Sequence, residues 1–279
     1  MNIKLGVFAV PDATDPSGTV ERILAADRAG LDVVGVQDHP YQRRFFDTWT
    51  LLSYAAARTE RVRLIPDVAN LPLRPPALLA KAAASLDVLS GGRVELGLGA
   101  GAFWEAIEAM GGPRRTPKES VDALEEAIAI LRAFWDGERS VRFEGEHYRV
   151  GGARPGPPPA HRIGIWLGAY GPRMLRITGR LGDGWLPSLV NLPPGDAVRM
   201  QGVIDEAARA AGRDPEDVER AVNVFALEGD GGSWPDRLAR IVTELRFTTI
   251  FVGVPDEDAI GFVRRLGEDV APRLRELLG

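Results

Sequence analysis

The run Val36-Gln37-Asp38-His39-Pro40 sets a carboxylate beside an imidazole, the side chain whose charge changes nearest neutral pH. Such a pair suits proton transfer by His39, with Asp38 orienting the ring or tuning its basicity. A histidine packed and hydrogen-bonded in a loop is the other reading, and the pair alone leaves both open. Gly99-Ala100-Gly101 lets a backbone come very close to something flat or anionic, or else makes a tight strand-to-helix turn. In Gly168-Ala169-Tyr170-Gly171-Pro172-Arg173, backbone amides open a helix with Arg173 nearby, a set that suits phosphate. Phe103, Trp104, Tyr170 and Trp185 fall at the same loop ends, as walls for a flat apolar substrate or as ordinary packing.

The composition narrows the chemistry further. Cysteine is absent, which removes disulfides, thiolate metal sites and cysteine nucleophiles together. His39, His147 and His161 show no metal-ligand spacing. A formal charge of −5 offers no footprint for nucleic acid, and no apolar run reaches the ~18 residues of a membrane span. Met1-Asn2-Ile3-Lys4-Leu5 enters a strand-like run with no signal-peptide pattern, so the expected location is the cytoplasm and the expected partner a small molecule.

These residues need a frame, and the chain alternates strand-like with helical runs along its length. Strands are predicted over Ile3–Phe8, Leu31–Val36, Val62–Pro66 and Val94–Leu98, then over Ile163–Leu167, Trp185–Leu189, Val222–Leu227 and Thr249–Val254. Between them, Asp15-Pro16 and Asp47 read as helix starts, Ser90-Gly91-Gly92 as a helix stop, and Thr116-Pro117-Lys118-Glu119 as a capping box. Eight strands, each leading to a helix, make a (β/α)8 TIM barrel the economical α/β fold. A hairpin and proline-rich stretch near 138–161 reads as an insertion within a single domain over 1–279. In such a barrel the side chains that matter sit on loops after the strands, where all the candidates above lie.

The motifs Val36 to Pro40, Arg58-Thr59-Glu60-Arg61-Val62-Arg63-Leu64, Lys81 to Gly101 and Gly168 to Trp185 together resemble the luciferase-like monooxygenase family of flavin-dependent oxidoreductases. The resemblance implies a bacterial luciferase-like barrel with a flavin or deazaflavin across the carboxyl ends of its strands. It implies a non-prolyl cis peptide at Asp67-Val68 behind the ring, hydrogen bonds to the ring from Asp38 and Asn70, and close approach of the ribityl side to Gly99, Ala100 and Gly101. Ala169, Tyr170, Gly171, Arg173 and Met174 match the family's phosphate cradle, Glu105 falls within its cofactor-binding set, and His39 matches its proton-handling histidine. Asp-His-Pro is similar to the branch using coenzyme F420, which passes hydride; monooxygenases using reduced FMN more often carry Glu-His there, and FMN is the alternative cofactor. A non-catalytic flavin-binding protein is the non-enzymatic alternative. A homodimer and a separate flavin or F420 reductase are further implications. Two positions depart from the family's sugar-phosphate dehydrogenases, Ala102 in place of glutamate and Glu105 in place of asparagine. No lysine follows Glu119, so a substrate other than a sugar phosphate is expected.

Overall fold

Short runs of buried aliphatic residues form the staves, and the computed structural model describes them within residues 3–193, 195–227 and 231–279. The first three strands are β1 (Lys4–Ala9), β2 (Val33–Val36) and β3 (Arg63–Pro66), separated by α1 (Pro16–Arg28) and α2 (Thr48–Ala56). Asp15 and Asp47 cap those helices as expected, their carboxylates accepting from Gly18 N and Thr50 N. A two-residue strand, β4 (Ala69–Asn70), precedes α3 (Pro76–Ser90), which stops at Gly91 with φ +72°. That left-handed conformation is the one the Ser-Gly-Gly run predicts.

The second half begins with β5 (Leu96–Gly99), α4 (Trp104–Ala109) and α5 (Pro117–Trp135). Thr116 and Glu119 close the capping box at the start of α5, each side chain bonding the other's backbone N–H. The antiparallel pair β6 (Val141–Glu144) and β7 (Arg149–Ala153) forms a hairpin within the stretch 138–161. Then follow β8 (Ile165–Leu167), α6 (Pro172–Leu181), β9 (Gly184–Trp185), α7 (Ala197–Ala210) and β10 (Glu219–Val224). Finally come α8 (Trp234–Leu245), β11 (Thr249–Gly253), α9 (Ala259–Arg265) and α10 (Ala271–Leu278).

Parallel pairing runs β3, β2, β1, β11, β10, β9, β8, β5, β4. The ring closes where Leu64 of β3 bridges Val94 and exchanges backbone hydrogen bonds with Arg93 and Glu95 just before β5. Thus β3 and β4 are two pieces of one stave, interrupted at the cis peptide Asp67–Val68, and the eight predicted staves are present. Phe8, Val33, Ile65, Trp166, Leu186, Ala221 and Phe251 fill the barrel's interior with Val68 packed against them. Burial of each such large side chain contributes roughly 1.5–3 kcal/mol.

Strand ends shift by a residue or two in most staves, and two strands differ most from expectation. The sixth strand, predicted over Trp185–Leu189, is only Gly184–Trp185, because Pro187 has no N–H to continue a ladder. The seventh begins at Glu219 instead of Val222, since paired charges replace apolar residues at its entry: Glu219 meets Lys4 at 2.6 Å, and Arg220 pairs with Asp205.

Candidate active site

A cavity of about 640 Å³ opens at the carboxyl ends of the strands. Its walls include Asp38, His39, Asp67, Val68, Asn70, Gly99, Ala100, Gly101, Phe103, Tyr170, Gly171 and Met174, so most of the predicted set converges in one place. The loop geometry explains how. Each of these residues lies at or past the end of β2, β3, β5 or β8, and the parallel sheet points all four ends the same way.

His39 is half-buried, and its Nδ1 lies 2.5 Å from the Tyr41 hydroxyl. The edges of Tyr41 and Phe103 pack against the imidazole with centroids 5.4 and 5.5 Å away. Burial among these rings lowers the histidine's pKa below 6.5, with the charge of Asp38 opposing the shift. The Tyr41 hydroxyl is pushed up to about 12, chiefly by burial, so it keeps its proton at neutral pH. With Nδ1 held by Tyr41, Nε2 is the nitrogen left for a ligand.

Asp38 does not make the predicted pair with His39. Its side chain is fully buried, with both oxygens 2.7 Å from Arg74 and one also accepting from Asn70 N at 2.9 Å. An ion pair at that range in a dry site outcompetes a neutral imidazole for the carboxylate. Asp38 therefore fixes the loop that carries Asn70, and Tyr41 does the orienting of His39. Arg74 also reaches Asp47, at 2.8 Å, which ties this loop to the cap of α2.

Five predicted residues lie outside the cavity. Glu105 projects from the first turn of α4 into solvent, 90% exposed, and faces Arg114 at 3.6 Å. Trp104 supports the glycine loop from behind, where a Cβ on Gly101 would come within 2.7 Å of its ring. Arg173 is drawn outward onto α5, where Asp122 lies 2.5 Å and Glu125 2.8 Å away. Trp185 is completely buried behind the sheet, stacked on Phe247, and its indole N–H donates to the carbonyl of Ala169. Ala169 is buried by the same contact.

Phe45 and Phe225, aromatic residues on loops after strands and so expected pocket walls, line the cavity, whereas Tyr41, Gln37, Gln42, Ser120, Ser188, Asn191 and Asn223, with Phe8 and Leu186 as apolar walls, carried no signal strong enough to be placed among the candidates. Asn223 had a readable cue, because Ala221, Asn223 and Phe225 alternate along one face and a lone amide interrupts an apolar stave.

Three buried oxygens on the walls have no hydrogen-bond partner: Asn70 Oδ1, Asp67 Oδ2 and Asn223 Oδ1. Unmatched buried acceptors are costly in a finished fold, so they mark where a ligand's polar groups belong. Val68 forms an apolar step between them. Its methyls sit where a Cβ on Gly99 would be 2.8 Å away and one on Gly168 3.3 Å away, so the glycines leave room for that step. The Tyr170 hydroxyl oxygen accepts from Ser188 N at 2.8 Å and from the Asn191 amide at 3.5 Å, so the hydroxyl still has its proton to donate. Among the described residues, no lysine or arginine lines the cavity and no group of side chains is arranged to hold a metal ion.

A flat heterocycle with carbonyl and N–H edges and a phosphorylated tail suits these walls. Asn70 would meet the ring's edge, Val68 its face, and Gly99 to Gly101 the chain beyond. The amides opening α6 with the Tyr170 hydroxyl would meet a phosphate, without the Arg173 side chain.

Comparison with known proteins gives the same direction. The family model described as luciferase-like monooxygenase matches residues 3–232. F420-dependent glucose-6-phosphate dehydrogenase of Intrasporangium calvum is 32% identical over 242 residues, covering 83% of this chain and 72% of that protein. A phthiodiolone/phenolphthiodiolone dimycocerosates ketoreductase from a Mycobacterium species is 38% identical over 188 residues, 66% of this chain and 48% of that protein. An F420-dependent secondary alcohol dehydrogenase, solved with an F420-acetone adduct, superposes with a TM-score of 0.86 at 19% identity over 99% of this chain and all of its own. The F420-dependent tetrahydromethanopterin reductase of Methanopyrus kandleri gives 0.83 at 21% identity, over 98% of this chain and 100% of that one. At such identities the two structures speak for the fold.

Proposed function

The chain belongs to the luciferase-like monooxygenase family, and from that premise we propose that it is an F420-dependent oxidoreductase acting on an uncharged alcohol or carbonyl compound. The observation that carries this reading is the cavity itself. It gathers unmatched acceptors, an apolar step and a half-buried histidine, while its described walls hold no cationic side chain. F420-dependent relatives at about a third identity support the cofactor, and the missing cations argue against the sugar phosphate named for one of them.

Bound F420 supplies a two-electron hydride acceptor or donor. The protein's own contribution is position and proton transfer. Substrate oxygen placed at His39 Nε2 would give up its proton there as its carbon loses hydride, and would receive one in the reverse direction. Tyr41 serves both directions. When Nδ1–H donates to the tyrosine oxygen, Nε2 is a base; taking the alcohol's proton makes the imidazolium, still held at Nδ1 by Tyr41, and that imidazolium returns the proton to a carbonyl oxygen in the reverse direction. Burial keeps the imidazole neutral at pH 7, the state needed for accepting a proton from an alcohol. Phe45, Phe103 and Phe225 at the rim favour substrates with apolar arms.

Parallel titrations with F420 and with FMN test the reading. Micromolar F420 binding, with hydride exchange between F420 and a panel of secondary alcohols and ketones, is expected. Binding of FMN alone overturns it in favour of a monooxygenase supplied with reduced FMN by a separate reductase. Binding of either cofactor without turnover of any donor points to the non-catalytic alternative.

A further inference from the structure

Asp67 and Asn223 lie 156 positions apart, yet the amide of Asn223 donates to Asp67 Oδ1 at 3.0 Å. One residue follows β3 and the other belongs to β10, with β2, β1 and β11 between them in the sheet order. The bond therefore crosses the barrel's interior at the floor of the cavity. Both side chains are buried, at 6% and 3% exposure, and each retains one unmatched oxygen. Room for the carboxyl comes from Gly35, where a Cβ would stand 2.6 Å from Asp67 Oδ2 and 3.1 Å from the ring of Phe251. The next residue is Val68, whose methyls fill the spaces left by Gly97, Gly99 and Gly168. Val68 is thus seated by glycines on its own side of the ring of strands, and its neighbour is tied to the far side.

We propose that the Asp67–Asn223 hydrogen bond is a strut across the barrel that sets the position of the Val68 wall against the cofactor ring, making Asp67 and Asn223 positioning residues. This rests on the F420 reading above. A neutral carboxylic acid suits the place, since Gly35 of β2 lies against it, the uncharged amide of Asn223 on β10 donates to it, and no cation pairs with it among the described residues. Burial raises this acid's pKa to about 7, in keeping with a protonated strut. Of the other titratable groups on the cavity wall, Asp38 is held by Arg74, His39 and Tyr41 bond each other, and the Tyr170 hydroxyl accepts from Ser188 N.

The test is F420 binding by Asp67→Ala, Asp67→Asn and Asn223→Ala, each followed by titration, by the absorption spectrum of the bound cofactor and by its midpoint potential. Both alanine variants are expected to weaken F420 binding about tenfold and to shift spectrum and potential, because the wall is freed. Asp67→Asn keeps a neutral acceptor for the Asn223 amide and restores all three. Wild-type binding, spectrum and potential in both alanine variants would overturn the strut, as would an Asp67→Asn variant no better than Asp67→Ala. Melting curves identify a variant that fails to fold, and the two alanine changes probe the same bond from opposite strands. Failure of the unaltered protein to bind F420 or FMN overturns the functional reading itself, and the strut's role with it.

Discussion

The two ends of the barrel treat polar side chains in opposite ways. At the base, where the strands begin, buried charges are matched. Asp183 receives Arg132, Arg162 and the amide of Ile165; Glu219 receives Lys4, Thr248 and Thr249; Asp87 receives His161 and three backbone amides. At the mouth, Asp67, Asn70 and Asn223 each keep an oxygen with no partner, and His39 keeps Nε2. A satisfied buried network stabilises and immobilises; an unsatisfied one is tolerated only where something else completes it. The difference separates the end that holds the fold together from the end that works.

That contrast breaks first at His39. Replacing it with alanine should lower hydride transfer about a thousandfold while F420 affinity stays at the wild-type value, because one proton carrier is lost and the ring's contacts remain. Single-turnover kinetics with matched titrations separate the two. An unchanged rate would make this histidine a packing residue and the mouth no different from the base. In the wild type, oxidation of an alcohol should fall on acidification with its midpoint below the ordinary imidazole value of 6.5, because burial lowers the folded histidine's pKa.

The matching experiment at the base is Asp183→Ala. Its carboxylate is 9% exposed and holds Arg132 and Arg162, with Arg213 also nearby at 3.7 Å. Removing it leaves those cations uncompensated and should cost about 3 kcal/mol, read as a lowered melting temperature with cofactor affinity intact. A loss of affinity with no loss of stability would collapse the distinction between the ends.

The pH dependence of stability should also run in opposite directions. Asp183 and Glu219 have pKa values lowered despite burial, because cations and hydrogen-bond donors favour their charged forms. Their stabilisation is present above the unfolded values near 4 and is lost as pH falls through the lower folded values. Asp67 is raised from 3.8 to about 7 by burial, so the folded state holds its proton more tightly and loses stability as pH rises between those values. Asp67→Asn should therefore raise the melting temperature more at pH 8 than at pH 5. Equal shifts at both pH values would show that Asp67 ionises as freely folded as unfolded.

Much of this frame was legible in the chain. Capping residues such as Asp15, Asp47 and Thr116, and the stop at Gly91, act within a few positions of themselves, so local sequence suffices to find them. What local sequence cannot give is the face a residue takes. Leu186 lines the cavity while its neighbour Trp185 lies behind the sheet, and shifting the phase of a strand by one residue exchanges them. Asn223 was missed because its partner Asp67 lies 156 positions away, and Tyr41, though only two positions from His39, because nothing in the sequence shows that its hydroxyl turns back onto the imidazole. Asp38 was found but given the wrong partner, since Arg74 arrives from 36 positions away.

Arg173 tests the same limit with the smallest expected effect. Its place just inside α6 suggests a phosphate ligand, but Asp122 and Glu125 on α5 offer two carboxylates on the outer side, and the guanidinium takes them. At 42% exposure, water screens those pairs, so their contribution to stability is small. Arg173→Gln should move the melting temperature by about 2 °C or less and leave F420 affinity unaltered, because the amides opening α6 do not depend on that side chain. A large fall in affinity, recovered on shortening F420 to its phosphate-free ring portion, would mean that the arginine swings inward on binding. The mouth would then take a charge from the outer surface to complete itself, and the division between a finished base and an open mouth would have to include the helices around them.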